Sequence, residues 1–93
     1  MTTDTRTATA FLVTLVFDLP GRDGLLVSGK PQEGRLWPDM VLEDPEGTQR
    51  RIIHLEFRSP RDLRLNEYTV TLERTKPEAV QPGVLLKTVS ELD

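Results

Sequence analysis

The chain has 93 residues, of which 37% are hydrophobic and 29% charged, and this length allows a single domain with one core. It contains no cysteine and one histidine, His54, which excludes disulfides, cysteine-ligated metals and most histidine-based catalytic sites. The formal net charge of −3 argues against indiscriminate coating of nucleic acid, and no run reaches the ~18 apolar residues of a membrane helix. Composition therefore predicts a cytoplasmic module that is not an enzyme and uses no cofactor or metal.

The two ends of the chain differ in composition from its middle. Residues 1–8 are rich in threonine and contain no large apolar side chain beyond Met1, so we expect a flexible N-terminal tail. A short C-terminal tail is predicted over residues 90–93. The residues between them, 9–89, are predicted to form one domain.

Short apolar stretches separated by turn residues begin at Phe11. In the first stretch, period-two alternation places Phe11, Val13, Leu15 and Phe17 on one face of a strand. Turn-forming residues follow, and two further short strands are predicted at Leu25–Gly29 and Trp37–Glu43. A hairpin turn is expected at residues 44–47, where the sequence reads Asp-Pro-Glu-Gly.

The second half of the chain carries the clearest alternation. It puts Ile52, His54 and Glu56 on one face of a strand, and His54 is expected to point outward. Two more strands are predicted, one with Tyr68, Val70 and Leu72 in the inward register and one over Val84–Val89. The helical candidates are brief turns near Arg61–Asn66 and Lys76–Val80.

About six short strands with turn signals every 8–12 residues or so are typical of barrels and sandwiches. We therefore expect an all-β fold, a small closed or partly closed antiparallel β-barrel, because closure removes exposed strand edges. Gly29, which lies within a predicted strand, is expected where the strand bends or another backbone approaches closely.

Six short segments carry a family resemblance. They are Val16-Phe-Asp-Leu-Pro-Gly-Arg-Asp-Gly24, Leu26-Val-Ser-Gly-Lys30, Glu33-Gly34, Leu36-Trp-Pro-Asp-Met-Val-Leu42, Arg51-Ile-Ile-His-Leu-Glu-Phe57 and Gln81-Pro-Gly-Val-Leu-Leu86. In this order they resemble the second, β-barrel domain of elongation factor Tu and its translational GTPase relatives. The similarity spans residues 9–88. It departs from the family at Asp23, an added residue, and at Pro38, which stands where the family has glycine.

The resemblance implies a binding role without GTP hydrolysis. In translational GTPases a preceding P-loop domain hydrolyses GTP, and this chain contains no Gly-x-x-x-x-Gly-Lys-Ser/Thr motif. In elongation factor Tu the barrel helps to hold the aminoacylated end of tRNA and packs against the GTPase domain. The resemblance therefore implies a stand-alone, non-catalytic binding barrel that binds no GTP. A fragment of a longer translation factor is the alternative.

Five positions bear on the aminoacyl-end pocket of that family. Phe17 and Ser28 match an aromatic residue and a threonine of the pocket. Thr14 and Leu15 replace its acidic pair, and Glu67 stands at the position of an asparagine. An α-amino group would lose its charge-assisted hydrogen bonds without the acidic pair. The resemblance thus implies an inherited barrel with an altered pocket.

A basic segment interrupts the overall acidic charge. Residues 50–64 contain five arginines against two acidic residues. Guanidinium groups suit phosphate or carboxylate recognition, so this segment is a candidate for steering a partner. The alternative is that these arginines solvate a strand and a loop and pair with nearby acids.

Two functions from different classes follow. The first is translation-related binding of structured RNA or the ribosome through Phe17, Arg22, Ser28, Lys30, Arg50, Arg58, Arg61 and Arg64. The second is a protein-interaction module that docks on a larger partner or associates with itself through a strand edge, with no nucleic-acid role. Catalysis and membrane binding are not expected, since the sequence nominates no nucleophile or second titrating group to work with His54.

Overall fold

The structure, a computed structural model, describes residues 8–88 and shows a closed barrel of antiparallel strands. In chain order the strands are β1 (Ala10–Phe17), β2 (Leu25–Glu33), β3 (Val41–Glu43), β4 (Gln49–Leu55), β5 (Tyr68–Leu72) and β6 (Leu85–Thr88). Around the barrel they follow the order β1-β2-β5-β4-β3-β6, and these neighbours pair antiparallel. The predicted all-β barrel is therefore confirmed.

Two short helical turns lie in the connections. Helix α1 (Pro60–Leu65) joins β4 to β5, and a 3-10 turn at Pro77–Ala79 joins β5 to β6. Both helical turns predicted from the sequence are confirmed. No helix within residues 8–88 is long and apolar enough to cross a membrane. The two predicted tails lie outside the described residues, except for Ala8.

Apolar side chains from all six strands fill the barrel. The buried residues are Phe11, Val13, Leu25, Val27, Leu42, Ile52, Val70, Leu72 and Leu86, joined by Met40 and Val80 from connecting segments. Each large aliphatic or aromatic side chain buried in this way stabilises the fold by about 1.5–3 kcal/mol. The inward register predicted for Tyr68, Val70 and Leu72 is confirmed for Val70 and Leu72, whereas Tyr68, at the start of β5, is exposed.

The first strand changes face at a β-bulge. Its register with β2 shifts between Val13 and Leu15, so Thr14 is the extra residue. Val13 is buried before the bulge and Val16 packs against the core after it, whereas Leu15 and Phe17 lie on the outer face. The prediction of a single face from Phe11 to Phe17 is therefore wrong beyond Val13, because an inserted residue reverses the alternation.

A second register shift changes the faces of β4. It lies between Ile52 and His54 in the pairing with β5. His54 is exposed, as expected, but Ile52 is fully buried, so these two residues do not share a face. Period-two alternation fails here for the same reason as in β1, since the irregular residue offsets the pleat.

Strands β1 and β2 approach so closely that no side chain fits at Gly29. A Cβ atom there would overlap the carbonyl group of Leu12 and lie 2.9 Å from Cζ of the buried Phe11. The close backbone approach predicted at Gly29 is therefore confirmed.

Candidate functional site

A groove of about 310 Å³ opens on the outside of the barrel. Its lining comes from β1, β2 and β5, from the segment between β4 and α1, and from the first turn of α1. The lining residues are Leu15, Phe17, Leu26, Ser28, Glu56, Phe57, Ser59, Arg61, Asp62 and Thr69. Three residues predicted to bind a partner, Phe17, Ser28 and Arg61, are therefore brought together in this groove.

Strand register aligns part of this lining in two rows. Leu15 lies opposite Ser28, and Ser28 lies opposite Thr69. Phe17 lies opposite Leu26 in the next row. Because opposite residues of antiparallel strands share a face, the bulge in β1 is what brings Leu15 and Phe17 to the groove.

The groove has an apolar part that includes an exposed aromatic ring. Phe57 is 99% exposed and Phe17 is 42% exposed. Leu15 and Leu26 are half-buried in the same lining. The isolated chain leaves this apolar surface in contact with water, which is typical of sites where a ligand or a partner binds.

The polar part of the groove is a chain of side-chain hydrogen bonds. Ser28 Oγ and Thr69 Oγ1 are 2.7 Å apart, and Thr69 Oγ1 donates to Asp62 Oδ2 at 3.0 Å. We refer to Ser28, Thr69 and Asp62 as the hydroxyl chain. No buried side-chain nitrogen or oxygen among the described residues lacks a hydrogen-bond partner. Each side chain of the hydroxyl chain therefore has a hydrogen-bond partner within the fold.

Helix α1 holds Asp62 in place through a capping box. The side chain of Ser59 accepts a hydrogen bond from Asp62 N at 3.0 Å, and Asp62 Oδ2 accepts one from Ser59 N at 3.2 Å. Pro60 stands in the first turn, where its missing N–H leaves nothing unbonded. Asn66 ends the helix in the left-handed conformation. Local sequence thus positions one end of the hydroxyl chain.

Two arginines at the groove are paired with acids. Arg61 NH1 lies 2.8 Å from Glu67 Oε1, and Glu67 is buried. Arg22 NH2 lies 3.6 Å from Glu56 Oε2. The positive charges of Arg22 and Arg61 are therefore largely compensated within the chain.

Three other predicted binding residues are placed elsewhere on the surface. Arg58 stacks over the ring of Tyr68, 3.9 Å from its centroid, and its Nε donates to the Glu67 carbonyl at 3.0 Å. Lys30 is exposed on β2, and Arg64 is exposed on α1. Neither Lys30 nor Arg64 forms an ion pair with another residue in the range 8–88. Among the predicted binding residues, these two cations are the ones best placed to meet an anionic partner.

Arg50 is not on the surface. Its side chain is 1% exposed and donates to Asp44 Oδ2 at 3.0 Å and to the carbonyl oxygens of Thr75 at 2.8 Å and Lys76 at 3.1 Å. It was predicted to bind a partner, but these bonds hold its guanidinium inside the fold and away from the surface. Arg50 instead ties the turn between β3 and β4 to the segment after β5.

Residues 50–64 therefore do not form a continuous positive surface. Arg50 is buried, Arg51 NH2 lies 3.2 Å from Glu73 Oε2, and Arg61 pairs with Glu67. For these three arginines, the alternative of pairing with nearby acids describes the structure.

The hydrogen bonds of Asp44 lead us to expect that the fold loses stability in acid. Burial by itself would raise the pKa of Asp44, but hydrogen bonds from Thr48 N and Arg50 oppose this effect. Together with the hydrogen bond from Glu46 N and the charge of Arg50, they hold the pKa below its ordinary value of 3.8. Such a carboxyl stabilises the fold above its unfolded-state pKa, and that contribution is lost as pH falls through the folded-state pKa.

We therefore expect the advantage of the wild-type chain over Asp44→Asn to shrink as pH falls from about 5 through the unfolded-state pKa of about 3.9 and on toward the lower folded-state pKa. The measurement is the free energy of unfolding in urea at each pH. A difference between the two proteins that stays constant over this range would show that the carboxylate of Asp44 does not stabilise the fold.

Seven of the ten residues that line the groove were not among the binding residues predicted from the sequence. Leu26, Phe57 and Thr69 line it, yet the sequence assigned them only to strand positions. Thr69 alternates with the inward Val70, which places it on the outer face, but nothing local pairs it with Ser28. That pairing joins residues far apart in the chain, so a sequence pattern carries no signal for it.

The described residues contain no group of three histidine, cysteine, aspartate or glutamate side chains that could hold a metal ion. No family model, curated protein or solved structure matches the chain. The function is therefore inferred from the groove itself.

Proposed function

We propose that this chain is a non-catalytic binding module and that a protein partner docks in the groove. The observation that carries the proposal is Phe57, whose ring is almost entirely exposed at the groove, with Phe17 in the same lining. Aromatic side chains are enriched among the few residues that dominate the energy of protein–protein binding. Docking would bury apolar surface that the isolated chain leaves in water.

Charge favours a protein partner over a nucleic acid. Arg22, Arg51 and Arg61 lie within ion-pair distance of acids, and Arg50 is buried. Affinity for phosphates comes largely from counterions that protein cations release, and cations already paired with carboxylates contribute less to it. The net charge of −3 adds repulsion toward a polyanion.

The hydroxyl chain and His54 support a role without catalysis. Ser28 Oγ is bonded to Thr69 Oγ1, which is not a base. His54 lies opposite Thr71 and does not line the groove. A general base has to be within hydrogen-bond reach of the proton that it removes, and the groove brings no such base to Ser28.

Translation-related binding of structured RNA is the second candidate. Phe17 and Ser28, which the resemblance assigns to the aminoacyl-end pocket, lie in the same groove. The exposed Lys30 and Arg64 are available for phosphates. On this alternative, affinity falls steeply with salt, and Lys30→Glu and Arg64→Glu lower it further.

Truncation of Phe57 is expected to remove most of the partner binding and to leave the barrel folded. We expect Phe57→Ala to weaken the affinity by about 30-fold, which corresponds to the 2 kcal/mol or so that a central aromatic residue contributes. Partners are first captured on the wild-type chain from native lysate, with and without nuclease. The dissociation constant of the captured partner is then measured for each variant.

Leu63→Ala is the matched control, since Leu63 is an exposed apolar residue of α1 that does not line the groove. It should bind the partner as the wild-type chain does. Equal losses of affinity in Phe57→Ala and Leu63→Ala would refute docking in the groove. If nuclease treatment abolished the capture, the partner would be RNA and not a protein.

A further inference from the structure

The hydroxyl chain has a fixed direction. Asp62 Oδ2 already accepts a hydrogen bond from Ser59 N, so it acts as an acceptor. Thr69 has one hydroxyl proton and donates it to this oxygen. Thr69 Oγ1 therefore accepts in its contact with Ser28 Oγ, and the single proton of Ser28 is directed at Thr69.

This direction leaves the groove lined with acceptors. Ser28 Oγ points its proton at Thr69 Oγ1 in this hydrogen bond, so it offers only lone pairs to a ligand, although the residue is only 2% exposed. Glu56 adds a carboxylate, and its Oε2 accepts from Thr71 at 2.6 Å. A ligand with a donor can form a hydrogen bond to these acceptors that a ligand without a donor cannot form.

Charge and shape restrict the ligand further. The two carboxylates of the lining, Glu56 and Asp62, are already bonded within the chain, Glu56 to Thr71 and Arg22 and Asp62 to Ser59, Thr69 and Arg61. A neutral group with a donor therefore fits this lining without a further charge. The rings of Phe17 and Phe57 offer faces and edges to another aromatic ring, and about 310 Å³ is enough for a phenol or an indole.

We infer that the groove binds a tyrosine or tryptophan side chain of the protein partner, with its O–H or N–H donated to Ser28 Oγ. This inference rests on the proposed function, because it names the group that occupies the same groove. The ring packs against Phe17 and Phe57, and the donor selects tyrosine and tryptophan over phenylalanine.

Paired small molecules test the inference in the full chain. Amide chemical shifts are followed by NMR during titration with indole or 1-methylindole, and with p-cresol or 4-methylanisole. The methylated member of each pair keeps the ring and loses the donor. We expect indole and p-cresol to bind about 3–10-fold more tightly than their methylated partners, as one hydrogen bond predicts. The shifted amides should include those of Leu26, Ser28 and Phe57.

Two variants test the role of the hydroxyl chain. Ser28→Ala removes the acceptor Oγ, so the affinity ratio between each donor ring and its methylated partner should fall to about 1. Thr69→Val removes the acceptor to which the Ser28 hydroxyl donates, so this hydroxyl can turn its proton into the groove. The preference for indole and p-cresol over their methylated partners should then narrow or invert. Thr75→Val is the control, since Thr75 is an exposed threonine that does not line the groove. It should keep the full preference.

The outcomes separate this inference from the proposed function. Equal binding of donor and methylated rings would overturn the inference and leave docking in the groove intact. Failure of all four rings to shift the groove amides would overturn both. Tighter binding of adenosine than of either donor ring would overturn the side-chain assignment and favour RNA.

Discussion

Arg50→Ala is expected to lower the free energy of unfolding by about 3–5 kcal/mol, because it removes one partner of a buried ion pair. Asp44 would stay buried without its counter-charge, and the carbonyl oxygens of Thr75 and Lys76 would lose their donors. In a domain of this size each kcal/mol lowers Tm by about 4–8 °C. Thermal and urea unfolding of the full chain measure the effect.

Arg51→Ala is the matched control on the same strand. Arg51 also pairs with an acid, Glu73, but both side chains are substantially exposed, so we expect a loss below about 1 kcal/mol. Arg50→Lys should recover only part of the loss, because an ammonium group lacks the forked geometry that reaches three acceptors. Equal losses in Arg50→Ala and Arg51→Ala would mean that burial does not set the contribution of Arg50.

Gly29→Ala is expected to destabilise the barrel by about 3 kcal/mol. The added methyl group would overlap the backbone carbonyl of Leu12, and backbone cannot rotate away as a flexible side chain can. Either β1 moves away from β2 or Phe11 leaves its packed position. Urea unfolding measures the loss of stability, and the amide shifts of Leu12 should report the displacement of the strand.

Gly21→Asn is the control for this substitution. Gly21 has a φ of 82° and no atom within 4 Å of a Cβ, so a side chain there meets open space. Asparagine tolerates the left-handed conformation better than most residues, and we expect a loss within about 1 kcal/mol. If Gly21→Asn lowered the free energy of unfolding as much as Gly29→Ala does, the effect would come from chain entropy and not from the contact with Leu12.

The candidate groove depends on two departures from regular strand structure, a β-bulge and the end of a strand. The bulge in β1 turns Leu15 and Phe17 outward, and the end of β4 leaves Phe57 in solvent. A barrel with strict alternation in β1 would turn Leu15 and Phe17 inward and would remove both from this apolar lining. The same departures that made the sequence-based faces wrong therefore create the surface that we propose as the binding site.

Local features of the fold agree with the sequence. The turn predicted at residues 44–47 is closed by a hydrogen bond from Gly47 N to Asp44 O at 2.9 Å. Strands are present in all six predicted stretches, although β3 begins only at Val41, after Asp39 adopts a φ of 72° that no strand accommodates. Alternation, turn residues and caps act over a few neighbouring positions, which is why they can be predicted from the chain alone.

The sequence by itself determined the strands, the turns, the short helices and the barrel class of this protein. Only the tertiary structure decided which faces β1 and β4 present beyond their irregular positions, since a bulge is held by its neighbouring strands. It also decided that Arg50 is internal, because two of its acceptors lie 25 and 26 residues further along the chain. An arginine is expected on the surface because of its charge. Its burial is stable here only because Asp44 and two carbonyl groups distant in the sequence bind its guanidinium.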